Sequence, residues 1–342
     1  MGSNIAPLLA PFQLPTRLPK GEVIAIDGHN AVLQAMSVSI KGKQAGLWRD
    51  REGQPVAHLQ GILNRAAGIL SAGAWPLFVF DGKPAEAKGR KDYDRIQARV
   101  TVEAKIAKAR RENDGEYREW LQNRPSYFWS KVFREVKQLL AQLGCPYLQA
   151  PSEGEAQAAF LSLAGITSAV ISQDFDALLF GAPRLYRRAP GLKAKYVLLD
   201  AREILNALQL TRNQLVDCAI LAGTDFNAGV PGIGPRLAAK LVRQYECIEG
   251  IPESVKAKYD FGVLPRVSIE MARETFLNPD VLADVPVPAW REPSRDPLVS
   301  FCCREHHLNE THVAQAVERW AKKLRQAQKM PQTCIKFGGG LS

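Results

Sequence analysis

Short, bounded apolar runs recur along the chain, separated by stretches in which apolar residues return every three or four positions. EVIAID (22–27), PLFVF (76–80), AVISQ (169–173), LYRR (185–188) and YVLLD (196–200) predict strands, and PYLQA (146–150) is a further candidate. HLQGILNRAAGIL (58–70), FWSKVFREVKQLLAQLG (128–144) and GEAQAAFLSLAG (154–165) carry the i, i+3, i+4 spacing of helices with one face on a core. Strands alternating with helices predict an α/β fold with a central, mostly parallel sheet covered by helices on both faces. Residues 84–130 break the rhythm: charged, long and spiced with aromatics, they read as an insertion that leaves the core, with outer bounds of about 84–137. No internal repeat or low-complexity block appears. One domain is expected over residues 1–325, followed by a flexible tail over 326–342 that contains KMPQTCIKFGGGLS.

Composition narrows the function class. With 46% hydrophobic and 23% charged residues, the 342-residue chain has ordinary globular composition and a sizeable core. No apolar run reaches the length of a membrane span, and the opening MGSNIAPLLAPF lacks a basic leader, which predicts an intracellular protein without membrane contact. The six cysteines are scattered without a C-x-x-C pair, as in a reduced chain. Cys302-Cys303-Arg304-Glu305-His306-His307 has the wrong spacing for structural zinc and reads as buried helix. The net charge of +10 points to an anionic partner. Residues 83–137 hold fifteen Lys and Arg against nine acids, over half of the excess in about a sixth of the length.

The acids carry the chemistry. Asp27 follows VIAI, Asp81 follows LFVF and Asp174 follows AVISQ, so three carboxylates fall at the carboxyl ends of three predicted strands. In an open α/β sheet that edge is where ligands bind. Asp176 lies two residues beyond Asp174, Glu153 and Glu155 open the helix after PYLQA, and Asp225 sits in ILAGTDF. Each has a bland explanation: Ser152-Glu153-Gly154-Glu155 fits a capping box, Asp174 an N-cap, Asp225 a turn. Together they repel one another and need cations, and hard oxygen donors imply Mg²⁺ or Mn²⁺. Two such ions clamp the attacking and leaving oxygens of a phosphodiester, so the cluster and the basic insertion point to metal-dependent phosphodiester hydrolysis. GVPGIGPRLAAK (229–240) adds a helix-hairpin-helix pattern, over about 215–245, whose backbone N–H groups meet phosphates without reading bases.

The ordered set IAIDGHN, VFDGKP, APSEGEAQAA, SQDFDALLFGAPRL, ILAGTDFNAGVPGIGP and FLNPDV resembles the flap endonucleases, most closely their archaeal members, over roughly residues 1–320. The resemblance implies a PIN-like 5′ nuclease fold spanned by a helical arch, and a monomer that cuts 5′ flaps in DNA at the junction of single strand and duplex. The biological setting it implies is Okazaki-fragment maturation and base-excision repair. It implies Asp27, Asp81, Glu153 and Glu155 around one Mg²⁺ and Asp174, Asp176 and Asp225 around a second, with Glu155 between and Mn²⁺ able to substitute. Lys88 and Arg95 match arch residues that contact the scissile phosphate. Gly2 matches a backbone contact to DNA, and Gly232, Gly234 and Arg236 lie in the element that grips duplex phosphates, often with a bound K⁺. Three departures stand out. Leu33 takes the place of a base-stacking tyrosine six residues after Asp27, His29 replaces a small residue, and Gln332, Ile335 and Phe337 form only a degenerate motif for the sliding clamp, PCNA. Related readings are a 5′→3′ exonuclease, a four-way-junction resolvase, or a DNA-binding scaffold without chemistry.

Overall fold

The computed structural model describes residues 3–41, 56–82, 125–189 and 195–328. Seven strands form one sheet: β1 (Leu14–Thr16), β2 (Val23–Asp27), β3 (Trp75–Phe80), β4 (Tyr147–Gln149), β5 (Ala169–Ile171), β6 (Arg184–Arg188) and β7 (Tyr196–Asp200), in the order β1-β7-β6-β5-β2-β3-β4. The five strands from β6 to β4 are parallel, and the β7 and β1 pairings at the other side are antiparallel. Every residue of β2 and β3 is buried, as strands covered on both faces must be, which is why they read as continuous apolar runs. Pro76 is tolerated inside β3 because the pairing with β4 begins only at Phe78–Tyr147, and its carbonyl accepts from the Trp290 indole at 2.8 Å.

The sheet is covered by helices on both faces. After the one-turn α1 (Ala6–Leu9) come α2 (Gly28–Lys41), α3 (Ala57–Ala72), α4 (Pro125–Leu143) and α5 (Gly154–Leu163). The one-turn α6 (Asp176–Leu179) precedes α7 (Ala201–Leu208), α8 (Arg212–Ala222) and α9 (Pro235–Tyr245). The set is completed by α10 (Glu253–Lys256), α11 (Arg266–Leu277), α12 (Arg295–Val299) and α13 (Glu310–Gln328). Helix α5 lies along β2, β3 and β5, while α2 and α3 pack together against β3 and α13 packs on α3.

The boundaries differ from the sequence pattern in two places. The expected insertion of 84–137 overlaps α4, whose Val132 and Val136 belong to the buried core; residues 130–137 therefore sit in the body of the fold, drawn there by their apolar stripe. The buried His58 on α3 bonds Glu135 of α4 at 2.9 Å and fastens the two helices. Likewise the expected tail overlaps α13, which continues to Gln328. The remainder of the insertion, residues 84–124, and the tail beyond 328 lie outside the described residues.

The cysteine and histidine run is buried only at Cys302; Cys303 and His306 are half-buried and Arg304, Glu305 and His307 are exposed, because the run lies on the outer side of its helical turn. Cys302 is fully buried in the π-helical stretch Ser300–Glu305, the five cysteines among the described residues are free, and His306 lies 3.9 Å from Glu135. No helix among the described residues is long and apolar enough to cross a membrane.

Candidate metal centre and DNA interface

Parallel strands deliver their last residues to one edge. Asp27 ends β2 and is 5% exposed; its Oδ1 accepts from the Asn30 N–H at 2.9 Å and its Oδ2 from the Ser172 hydroxyl at 3.0 Å. Burial, reinforced by the nearby Asp81 charge, pushes its carboxyl up to about 7 against those hydrogen bonds. Asp81 follows β3, and its Oδ1 accepts from the Gly154 N–H at 2.8 Å. That contact explains the glycine: a Cβ at position 154 would stand 2.7 Å from the same oxygen.

Glu155 lies in the first turn of α5. The capping box that the sequence offers as the bland alternative for this turn does not form. Glu153 is the N-cap residue and makes no side-chain cap bond, so Glu155 is not consumed in tying back the helix start. Instead Glu155 meets Asp174 and Asp176, with one oxygen of each within 4.8 Å of the others. Its Oε1 is buried without a hydrogen-bond partner. Burial, then Asp27, Asp176 and Asp174 in turn, drive the Glu155 carboxyl well above its ordinary range. Asp174 is pushed up to about 7, by burial first and then by Asp176, while the Phe175 N–H opposes. Asp176 is 5% exposed and accepts from the Ser3 N–H at 2.9 Å. Asp225 stands in the turn between Thr224 and Asn227, and its charge reaches Asp174.

Two groups of carboxylates thus share the edge. Asp27 and Asp81 form one, Glu155, Asp174 and Asp176 the other, and the mutual influence of Glu155 and Asp27 links them. Ser172 joins them structurally, since its hydroxyl donates to Asp27 and accepts from the Asp174 N–H at 3.0 Å. The donors are all carboxylate oxygens, and a buried Glu155 oxygen lacks a partner; that set suits hard divalent cations. Gly2, Lys88 and Arg95 lie outside the described residues.

His29 is a satisfied neighbour of the site. Its Nδ1 accepts from the Asp81 N–H at 3.1 Å and its ring lies on Phe133 with centroids 4.0 Å apart. Sequence reasoning did not find Ser3, Asn30 or Ser172 as partners of the carboxylates. Ser3 is 173 residues from the carboxylate it holds, and no local pattern signals such a contact.

Away from the sheet, α8 and α9 pack against each other around the hairpin. Ile233 is buried and anchors the turn, Gly232 has φ of +84°, and Gly234 is the N-cap of α9 with Pro235 following. A Cβ built at Gly234 would meet nothing within 4 Å, and Arg236 is exposed in the first turn, so the helix start faces open space beside a cation.

Comparison with known proteins agrees with this geometry. A family model described as the XPG I-region matches residues 144–225, which include Glu153, Glu155, Asp174, Asp176 and Asp225. Flap endonuclease 1 of Caldivirga maquilingensis is 38% identical over 324 residues, 90% of each chain. That of Staphylothermus marinus is 35% identical over 349 residues, 97% of this chain and 98% of the other. Among solved structures, flap endonuclease-1 from Methanococcus jannaschii is 30% identical and covers 90% of this chain and 94% of its own, with a TM-score of 0.69. The catalytic core of Rad2 in complex with DNA substrate, 21% identical with a TM-score of 0.67 over 92% of this chain and 97% of its own, shares the fold. Identity of this extent, across nearly the whole length of both chains, shows that the chain belongs to the flap endonuclease 1 family.

Proposed function

We infer that this chain is a structure-specific 5′ flap endonuclease that hydrolyses a DNA phosphodiester where single strand meets duplex, leaving a 5′-phosphate and a 3′-hydroxyl. The observation that carries this reading is the meeting of Glu155, Asp174 and Asp176 within 4.8 Å at the carboxyl edge of the sheet, with a buried Glu155 oxygen left unpartnered. Asp27, Asp81, Glu153 and Glu155 would hold one Mg²⁺, and Asp174, Asp176 and Asp225 a second, with Glu155 between them. Bound there, the pair of ions supplies an activated water and offsets charge on the leaving oxygen. Mn²⁺, which carboxylate and water oxygens also suit, is expected to substitute.

The rest of the work falls to this chain's own groups. The hydrogen bonds from Asn30, Ser172, Gly154 and Ser3 fix the carboxylate orientations before a cation arrives, so little reorganisation is left to binding. Lys88 and Arg95 are assigned to the scissile phosphate, where fixed positive charge offsets the charge that develops in the transition state. The Gly2 backbone is assigned to DNA near the cut. The α9 N-terminus with Gly232, Gly234 and Arg236 meets duplex phosphates, with K⁺ as its expected companion, and holds the duplex in register without reading bases. Monomeric action in Okazaki-fragment maturation and base-excision repair, and contact with PCNA through Gln332, Ile335 and Phe337, belong to the same reading.

A labelled double-flap duplex tests it, run beside nicked, single-stranded and four-way-junction DNA, with Mg²⁺ and with EDTA. The expected result is one Mg²⁺-dependent cut at the flap base, abolished by Asp81→Ala and by Asp176→Ala. Trimming from ends or preferential cutting of the four-way junction would replace the reading by an exonuclease or a resolvase. Flap binding without any cut would make the protein a scaffold.

A further inference from the structure

The position where the family resemblance leads one to expect a stacking tyrosine holds Leu33, a 38%-exposed aliphatic side chain. One helical turn earlier on α2, and on the same face, stands His29. Its ring lies over Phe133 of α4 with centroids 4.0 Å apart and planes 35° apart. Phe133 continues to Trp129, one turn earlier on α4, at 6.1 Å and 31°. Phe128 closes the series edge-on against Trp129 at 5.3 Å. The three α4 rings are only half-buried, whereas Val132, Val136, Leu139 and Leu140 of the same helix are buried. The core encloses the aliphatic side of α4, while the three rings pack on its border and keep part of their surface open.

The place of this ladder sets its ligand. Its inner end is bonded to a carboxylate residue of the metal centre, since His29 Nδ1 accepts from the Asp81 N–H at 3.1 Å. That bond puts the proton of the neutral ring on Nε2 and fixes the ring's orientation. A half-exposed aromatic series, its successive planes tilted by 35° and 31°, that begins beside the metal centre offers ring faces that match the π-face of a base, and a base offers that face only when it has left the duplex stack. We propose that the His29–Phe133–Trp129 ladder is the stacking surface for the unpaired bases of the displaced strand next to the cut, the task that Leu33 is not equipped to perform.

The proposal rests on the flap-endonuclease reading, and its test separates the two. Binding is measured by fluorescence anisotropy in EDTA on two double flaps, one with normal nucleotides and one with abasic sites at the two flap positions nearest the junction. Wild-type protein is expected to bind the abasic flap about tenfold more weakly, or ~1.4 kcal/mol. Trp129→Leu and Phe133→Leu keep apolar volume but remove the π-face. Each should lose about tenfold on the normal flap and nothing further on the abasic one, whereas Trp129→Tyr should behave as wild type. Leucine variants that bind both flaps as wild type does, or that lose equally on both, would overturn the ladder and return these rings to packing. Wild-type protein that cuts the normal flap under Mg²⁺ yet binds the abasic flap equally well would also overturn it, with the enzyme reading intact. A wild type that neither cuts the flap nor prefers it to plain duplex would overturn the enzyme reading itself.

Discussion

Among the described residues, two groups of carboxylates, each with buried members, are treated in opposite ways. On α8, Asp217 is 3% exposed and is met by the Arg273 fork, with two contacts of 2.7 Å. Arg273 reaches Glu249 as well, at 2.7 and 2.8 Å, and its hydrogen bonds drive the Glu249 carboxyl down to about 2. Burial pushes the Asp217 carboxyl up, and the arginine and the Ile248 N–H pull it back. At the sheet edge, comparable burial meets neutral hydrogen-bond donors, Arg65 and Arg187 act on Asp27 and Asp174 without a hydrogen bond to them, and the two carboxyls still rise to about 7. The fold pairs buried carboxylates with an arginine where it needs a brace between helices. Where it leaves them facing one another, Arg65 and Arg187 do not hold the raised carboxyls down, and the further positive charge has to come from outside; that difference separates a structural cluster from a chemical one.

The largest effect that would break this comparison is on cleavage. Glu155→Gln keeps the shape of the side chain and removes the charge that links the two carboxylate groups. Flap cleavage under Mg²⁺ should fall by at least about a thousandfold, while the melting temperature in EDTA stays level or rises because a repulsive charge is gone. A variant that kept normal cleavage would place the ions elsewhere. Arg273→Ala should do the reverse. Leaving Asp217 buried and unpaired is expected to cost about 3–5 kcal/mol of stability, read by denaturant unfolding, with cleavage retained at temperatures where the protein is folded.

Acid sharpens the contrast at a smaller scale. The Asp27 and Asp174 carboxyls are raised, so without cations each is a cost that is absent below about pH 4 and complete above about pH 7. The melting temperature in EDTA should therefore decline as pH rises between those values. Cations offset the same charges, so the upward shift produced by 10 mM Mg²⁺ should be large at pH 8 and vanish near pH 5, where protons compete for the oxygens. Glu249 has the opposite sign. Its carboxyl is lowered, so its contribution is present above about pH 4.5 and is lost only as pH falls towards 2. A Mg²⁺ shift that did not change with pH would mean that the raised carboxylates are not the binding groups.

These particulars also show how far a sequence can be read. Asp27 and Asp81 were legible because each closes a continuous apolar run, and Asp174 because it follows one within three residues; parallel strands bring such ends together. The hairpin was legible because Gly232 at positive φ and Pro235 at the helix start are local requirements. β1 was missed, since LPT is short, contains proline and depends on β7 for its pairing. The capping-box alternative for residues 152–155 falls away because the helix starts at Gly154, which places Glu153 and not Ser152 at the cap. Neither the Gly154 contact to Asp81, 73 residues away, nor the His58–Glu135 bond across 77 residues has a local signature. Elements follow from nearest-neighbour rules, whereas the partners that orient a site are chosen by tertiary packing.

The smallest effect concerns cations and extends the comparison to them. Arg273 is closed on two carboxylates, whereas Arg236 is exposed in the first turn of α9 without an ion pair among the described residues. If its partner is a duplex phosphate, binding releases one counterion on its account. Arg236→Ala should then weaken flap binding only a few-fold, but the slope of log K against log salt should become shallower by about 0.9. The slope isolates the phosphate contact from packing, because a merely structural arginine would shift affinity at every salt concentration alike. The fall should also be the same for flaps of different sequence, since a phosphate contact carries no base information. An unchanged slope would move the duplex grip away from this end of the hairpin and leave Gly232 and Gly234 as a turn between two helices.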